Sequence, residues 1–186
     1  MRSFPAYFCA AANLAAALAM LTVLAPGTPL FDEPARAAYV RDHIALWRAG
    51  WSLWIVAAVS LLLFYRWWSV RIGAGRGPLA FAIAGFAADL LAESLLIAVA
   101  PDRPELARPS FALTGTVANG LYTLAGALLS LRTPGLRGPF AAWTWAVWGS
   151  GAALSAAALI EAPLALAAAL FVLLVPWCVA LGRRLA

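Results

Sequence analysis

Apolar residues in this chain come in long uninterrupted blocks separated by short polar connectors. Six blocks stand out, at 4–26, 47–69, 78–100, 111–131, 139–160 and 162–182. At about 1.5 Å per residue, a helix of roughly 20 residues crosses the ~30 Å hydrocarbon layer of a bilayer. The expected fold is therefore all-α, a polytopic membrane bundle of six transmembrane helices. Residues 1–186 read as a single integral membrane domain, because the connectors leave no room for another. The fifth and sixth blocks are almost continuous. Glu161 and Pro163 divide them, and one helix from 139 to 182 would far exceed a bilayer, so a tight reversal is expected there. Gly73, Gly75, Gly77 and Pro78 mark the second turn, Pro101 and Pro104 the third, and Pro134, Gly135, Gly138 and Pro139 the fourth.

The longest connector, 27–46, has its own pattern. Asp32, Glu33 and Pro34 form a helix-start signal, with acids at the positive end of the dipole and proline in the first turn. Nothing breaks a helix from Ala35 to Arg48. Tyr39, His43 and Trp47 recur at four-residue spacing and share a face. A short external interfacial helix is expected here, bending near Gly50 into the second span.

Composition and charge sharpen this reading. The chain is 65% apolar and 11% charged, against about 45–50% and 25% in soluble domains. A formal charge of +5 and a pI near 10 would suggest nucleic acid in a soluble protein. Here the basic residues are thirteen Arg and no Lys, scattered at the ends of apolar blocks. That is a topology signal rather than a phosphate-binding face. With the N-terminus inside, Arg2, Arg66, Arg71, Arg76, Arg132, Arg137, Arg183 and Arg184 fall on the inner side. The other five, Arg36, Arg41, Arg48, Arg103 and Arg108, fall outside. This asymmetry predicts both termini in the cytoplasm of a bacterial inner membrane. The first block is longer than a signal-peptide core and its best cleavage position is followed by Pro26, so it reads as a retained helix. Tryptophans near the block ends read as interfacial belts. Cys9 and Cys178 read as small buried hydrophobes.

Chemistry is concentrated in the third and fourth blocks. Asp89 and Glu93 are spaced i, i+4 on one helical face, Asp89 near the bilayer midplane. A central carboxylate costs about 2.5–3.5 kcal/mol on insertion scales, so both should face the bundle interior. Asn119 and Tyr122 share a face of the fourth block at similar depth, with Thr114 and Thr116 about a turn further out. Gly115, Gly120 and Gly126 would let the third and fourth helices approach closely. His43 is the only histidine, which removes bis-histidine haem and histidine-rich zinc sites from consideration, and no metal or other cofactor is expected. His43 stands near the outer mouth as a candidate gating residue. No Walker A, HExxH, CxxC or dinucleotide-binding glycine pattern is present.

The stretches Tyr39 to Trp51 (YVRDHIALWRAGW), Ala118 to Gly126 (ANGLYTLAG) and Val175 to Cys178 (VPWC) are the most distinctive. With the layout of spans, they resemble small six-span bacterial membrane proteins whose function is unknown, and that resemblance implies no activity. Vitamin-uptake binding subunits are also similar in size and span number, and the pairs Ala11/Ala15 and Ala12/Ala16 fit their small-residue pattern.

The leading functional expectation is binding or transport of a small molecule or lipid. Its site would lie in the outer half of the bundle, lined by Asp89, Glu93, Asn119 and Tyr122, with His43 on the covering helix. The first alternative is an accessory subunit docked on a membrane protein partner. The second is a membrane enzyme using the paired carboxylates as acid and base, weakened by the lack of any second catalytic element. Beyond the lipid bilayer, the expected partners are such a ligand or such a protein.

Overall fold

The computed structural model describes residues 3–159 and 165–186. Those residues form helices joined by short turns and contain no strand. The expected reversal at Glu161 and Pro163 lies outside the described residues. The elements in chain order are α1 Phe4–Ala19, α2 Glu33–Asp42, α3 Ile44–Ile72, α4 Gly77–Ala98, α5 Ala107–Ala112, α6 Asn119–Arg132, α7 Gly138–Leu159 and α8 Ala165–Arg184. A π-helical turn at Met20–Leu24 and a 3-10 turn at Ala25–Gly27 extend α1. A second π-helical stretch, Leu113–Ala118, joins α5 to α6 in one rod from Pro104 to Arg132.

Among the described residues, five helices are long and apolar enough to cross a membrane: Phe4–Gly27, Ile44–Ile72, Gly77–Ala98, Pro104–Arg132 and Ala167–Arg184. The chain therefore has the helical character of a multi-pass membrane protein. Helix α7 has 22 residues, as many as α4, but its tryptophans, glycines and hydroxyl residues keep it below the other five in hydropathy.

Local chemistry explains the helix ends. The Asp32 carboxylate accepts from the Ala35 backbone N–H at 2.8 Å and caps α2, with Pro34 in the first turn. Helix α3 stops where Gly73 takes φ +64°, a left-handed conformation that favours glycine. The Gly73 N–H then bonds the Val70 carbonyl and the Ala74 N–H bonds the Ser69 carbonyl, closing a Schellman motif. The break between α2 and α3 falls at His43 rather than near Gly50. Gly50 instead lies inside α3, where a Cβ would come within 2.7 Å of Leu24. It is a packing glycine, not a hinge.

Neighbouring helices close a ring in the order α1, α3, α4, α6, α7, α8 and back to α1. One end of the ring is filled by aromatic rings. Phe64, Tyr65, Trp68, Trp148 and Trp177 pack with centroid separations from 5.0 to 6.5 Å, mostly tilted or edge-to-face. Here the belt expectation is corrected. Trp47, Trp51, Trp67, Trp68, Trp148 and Trp177 are buried inside the bundle, whereas Trp145 is 43% exposed. The indole N–H groups of Trp47, Trp68, Trp148 and Trp177 act as cross-links between segments, whereas those of Trp51 and Trp67 are buried without a partner among the described residues. Trp47 donates to the Leu96 carbonyl at 2.7 Å, Trp148 to Ser130 Oγ at 2.7 Å and Trp177 to Thr144 Oγ1 at 2.9 Å. A large apolar ring with one donor gains most where a neighbouring helix offers an acceptor, because an unpaired N–H is costly in an apolar interior.

Candidate ligand cavity

Helices α3 and α4 run antiparallel, with Trp47 level with Leu96. Helix α4 and the 104–132 rod are also antiparallel, and here the register is fixed twice. Thr114 donates its hydroxyl to Asp89 Oδ1, and a Cβ on Gly85 would lie 3.1 Å from the Ala118 carbonyl. Asp89 is thus level with Thr114, one turn nearer the α2 end than expected relative to Asn119 and Tyr122. The π-helical stretch 113–118 is the segment that presents Thr114. Such π turns rotate side chains out of the regular helical register and occur often at functional sites.

The expected glycine seam is also corrected. Added Cβ atoms on Gly115, Gly120 and Gly126 would meet Ala158, Ser155 and Trp148 of α7, not residues of α4. The glycine that lets α4 and α6 approach is Gly85, whose Cβ would meet the Ala118 carbonyl and the Tyr122 ring. Which neighbour a glycine meets is set by the rotation of the rod about its own axis, and all three are turned towards α7.

The four expected intramembrane residues separate into different surroundings. Asp89 is 6% exposed, bonded to Thr114, and faces a cavity. Tyr122 is 5% exposed and lines the same cavity, its hydroxyl close to Asp89 but without a well-aligned hydrogen bond. Asn119 also lines it but turns its amide towards α7, donating to the Gly151 carbonyl and to Ser155 Oγ, both at 2.8 Å. Glu93 is fully buried, both carboxyl oxygens lack a partner, and it is not part of the cavity wall. His43 lies apart from them. It is exposed on the α2–α3 junction, with Nδ1 3.1 Å from the Tyr39 carbonyl and its ring stacked on Tyr39 at 4.5 Å. The Tyr39 hydroxyl donates to the Val23 carbonyl and so ties α2 to the end of the first span.

The cavity measures about 530 Å³, within the 300–1,000 Å³ typical of small-molecule sites. It occupies the half of the ring nearer α2, opposite the aromatic plug. Trp51, Trp54, Phe111, Phe171 and Tyr122 form much of its wall, with Leu61, Leu170 and Leu174 towards the plug. Its polar groups are few: Asn13, Thr28, Asp89, Arg108, Thr114 and Asn119 besides Tyr122. Asn13 is already occupied locally, donating to the Cys9 carbonyl at 2.9 Å. Both π-helical turns border the space, through Met20 and Leu21 on one side and Thr114 and Gly115 on the other. Sequence reasoning missed these turns, since nothing in the residues of 20–24 or 113–118 distinguishes a π turn from an α turn. It also missed the cavity-lining position of Trp51 and Trp54. Their helical spacing from Trp47 was the available signal, because i, i+4 and i, i+7 place Trp51 and Trp54 within about 40° of Trp47 on one face of α3.

Among the described residues no three His, Cys, Asp or Glu side chains come together as a metal site. Compared with protein families, with curated proteins and with solved structures, the chain shows no match.

Proposed function

We propose that this protein binds, and carries across or within the membrane, a small molecule or lipid held in the α2-side cavity. The observation that carries the reading is a cavity of about 530 Å³ whose wall is mostly apolar and aromatic but holds Asp89 at membrane depth. An acid in that position is expensive to insert and belongs to a wet or ligand-filled interior rather than to lipid. The aromatic plug closes the other half of the ring, which favours a one-sided site over an open channel.

In the proposed arrangement α7 is the sixth span, so the bundle crosses the membrane six times with both termini in the cytoplasm of a bacterial inner membrane. The Arg asymmetry supports this orientation. The cavity then opens towards the outer side. Helix α2 would lie there as an interfacial helix, supported by its capped start and by exposed polar residues such as Arg41 and Asp42, and the connector before it borders the cavity through Thr28, Pro29 and Leu30. The resemblance to six-span bacterial membrane proteins is kept as part of the proposal. Asp89, Tyr122 and Asn119 are the proposed contact residues. Glu93 would act one turn behind Asp89, and His43 at the α2–α3 junction.

Native mass spectrometry of the protein released from gently extracted membranes tests the reading. A bound species is expected on the wild type and is expected to be lost from Ala112→Trp, which puts an indole into the cavity wall. A wild type that carries no bound species, or a variant that retains it, would refute the cavity as the binding site.

A further inference from the structure

Resting on that reading, we propose that the ligand class is a lipophilic amine, its ammonium group seated between Asp89 and Tyr122 and its apolar body against Trp51, Trp54 and Phe171. Four observations converge on this chemistry. Asp89 reaches the cavity from the middle of a long apolar helix and holds one hydroxyl donor, from Thr114. A carboxylate has room for about four hydrogen bonds, and an ammonium group supplies up to three. The Tyr122 hydroxyl is buried beside Asp89 and has no hydrogen-bond partner among the described residues, so its oxygen is left to accept an N–H. The surrounding rings stand edge-to-face with one another, Trp51 on Phe111 and Trp54 on Phe171, each pair at 5.5 Å. Such an arrangement leaves aromatic faces available to a cation.

The charge of the wall points the same way. A ligand carboxylate seated beside Asp89 would meet like-charge repulsion. Arg108, which also borders the cavity, is rooted six residues before Thr114, so its backbone stands about 9 Å further towards the α2 end along the rod. A neutral alcohol could bond Asp89 but would bring no charge to it. Selection by charge-assisted hydrogen bonding inside an apolar cavity is strong enough to discriminate among molecules with the same hydrocarbon body.

Three probes of one shape read this directly: naphthalene-1-methylamine, naphthalene-1-methanol and 1-naphthoic acid. Binding is measured by isothermal titration to the full chain in nanodiscs of uncharged phosphatidylcholine headgroup balance, with empty nanodiscs subtracted. The amine is expected to bind about tenfold or more tighter than the alcohol, and the acid weakest. Asp89→Asn is expected to bring the amine down to the affinity of the alcohol, and Tyr122→Phe to shrink the same ratio without abolishing it. Asp89→Glu is expected to restore the preference. The ratio cancels losses of folded protein, and Tyr122→Phe keeps the test open if Asp89→Asn does not fold. Equal or tighter binding of the alcohol or acid, or an amine preference that survives Asp89→Asn, overturns the proposal. Ala112→Trp separates the two readings. If it abolishes binding of all three probes and the amine was not preferred, the cavity stands and the amine class falls. If no probe binds the wild type, or Ala112→Trp leaves every affinity intact, both fall.

Discussion

Replacing Gly126 by Ala should destabilise the bundle, although alanine is the better helix former. A Cβ at position 126 would overlap three atoms of the Trp148 six-membered ring. The ring cannot swing away. Its N–H is held by Ser130 Oγ at 2.7 Å, Trp177 abuts it at 5.0 Å and Trp68 stacks on it at 6.3 Å. Overpacking of this kind costs about 1–3 kcal/mol. The helix-propensity gain of Gly to Ala offsets up to about 1 kcal/mol. At the middle of the overpacking range the net loss is about 1 kcal/mol. For a chain of this length each kcal/mol corresponds to a shift of about 2–4 °C, so the unfolding midpoint should fall by about 2–4 °C. The protein supplies its own reporter. Cys9 and Cys178 are free thiols with no exposed surface, so a thiol-reactive fluorogenic dye in detergent reports unfolding at fixed scan rate. Gly149→Ala is the internal comparison, since its Cβ meets nothing within 4 Å. It should leave the midpoint level or raise it slightly. The double change Gly126→Ala with Trp148→Leu should cost less than the sum of the two single changes, with a coupling of about 0.5–3 kcal/mol. A Gly126→Ala midpoint at or above wild type, or additive single changes, would refute the packing argument.

Three further outcomes are expected. Thr114→Val strips Asp89 of its hydroxyl donor and should cost about 1–3 kcal/mol, with Thr114→Ser recovering most of the midpoint in the same dye assay. Membrane-permeant iodine should oxidise Cys9 and Cys178 to an intramolecular disulfide seen by peptide mass spectrometry. Their Sγ atoms lie 3.9 Å apart across the α1–α8 contact, and a failure to cross-link would place those helices elsewhere. Asp32→Ala removes the cap of α2, worth about 0.5–2 kcal/mol. Backbone amides of 33–42 should then exchange hydrogen faster while those of α3 keep their protection. Equal acceleration in both would mean that α2 is not an independent unit.

The elements were legible because apolar run length and glycine or proline punctuation act locally. Gly73 ends α3 and Asp32 starts α2 for reasons carried by a few neighbouring residues. The acids were legible because charge at membrane depth is rare enough to mark an interior face, and Asp89 does face the cavity. Three things were not legible. The inward packing of Trp148 and Trp177 is matched by acceptors, Ser130 and Thr144, which lie in other segments. Which neighbour a glycine faces depends on helix rotation, so Gly115, Gly120 and Gly126 were assigned to the wrong seam. The offset of about two turns between Asp89 and Tyr122 depends on how far two helices slide past each other. Sliding is set by packing at Gly85 and by the π turn, and neither leaves a periodic trace.

The two π turns give the cavity a physical origin. A regular helix that packs tightly at one level keeps packing along its length, because its side chains repeat on the same face. The extra residue of a π turn breaks that repeat. In the 104–132 rod the break falls between the α5 end, where Ser110 is buried, and the plug end, where Ala125 and Leu129 are buried. In the first span it falls after Ala19, and Met20 and Leu21 then border open space. Two helices on different sides of the ring therefore lose close packing at the same depth, next to Asp89. An interior normally closes such gaps, since each lost contact has a cost. Two separate departures from helical regularity border this space, with an acid on its wall, which supports the proposed ligand site over imperfect packing.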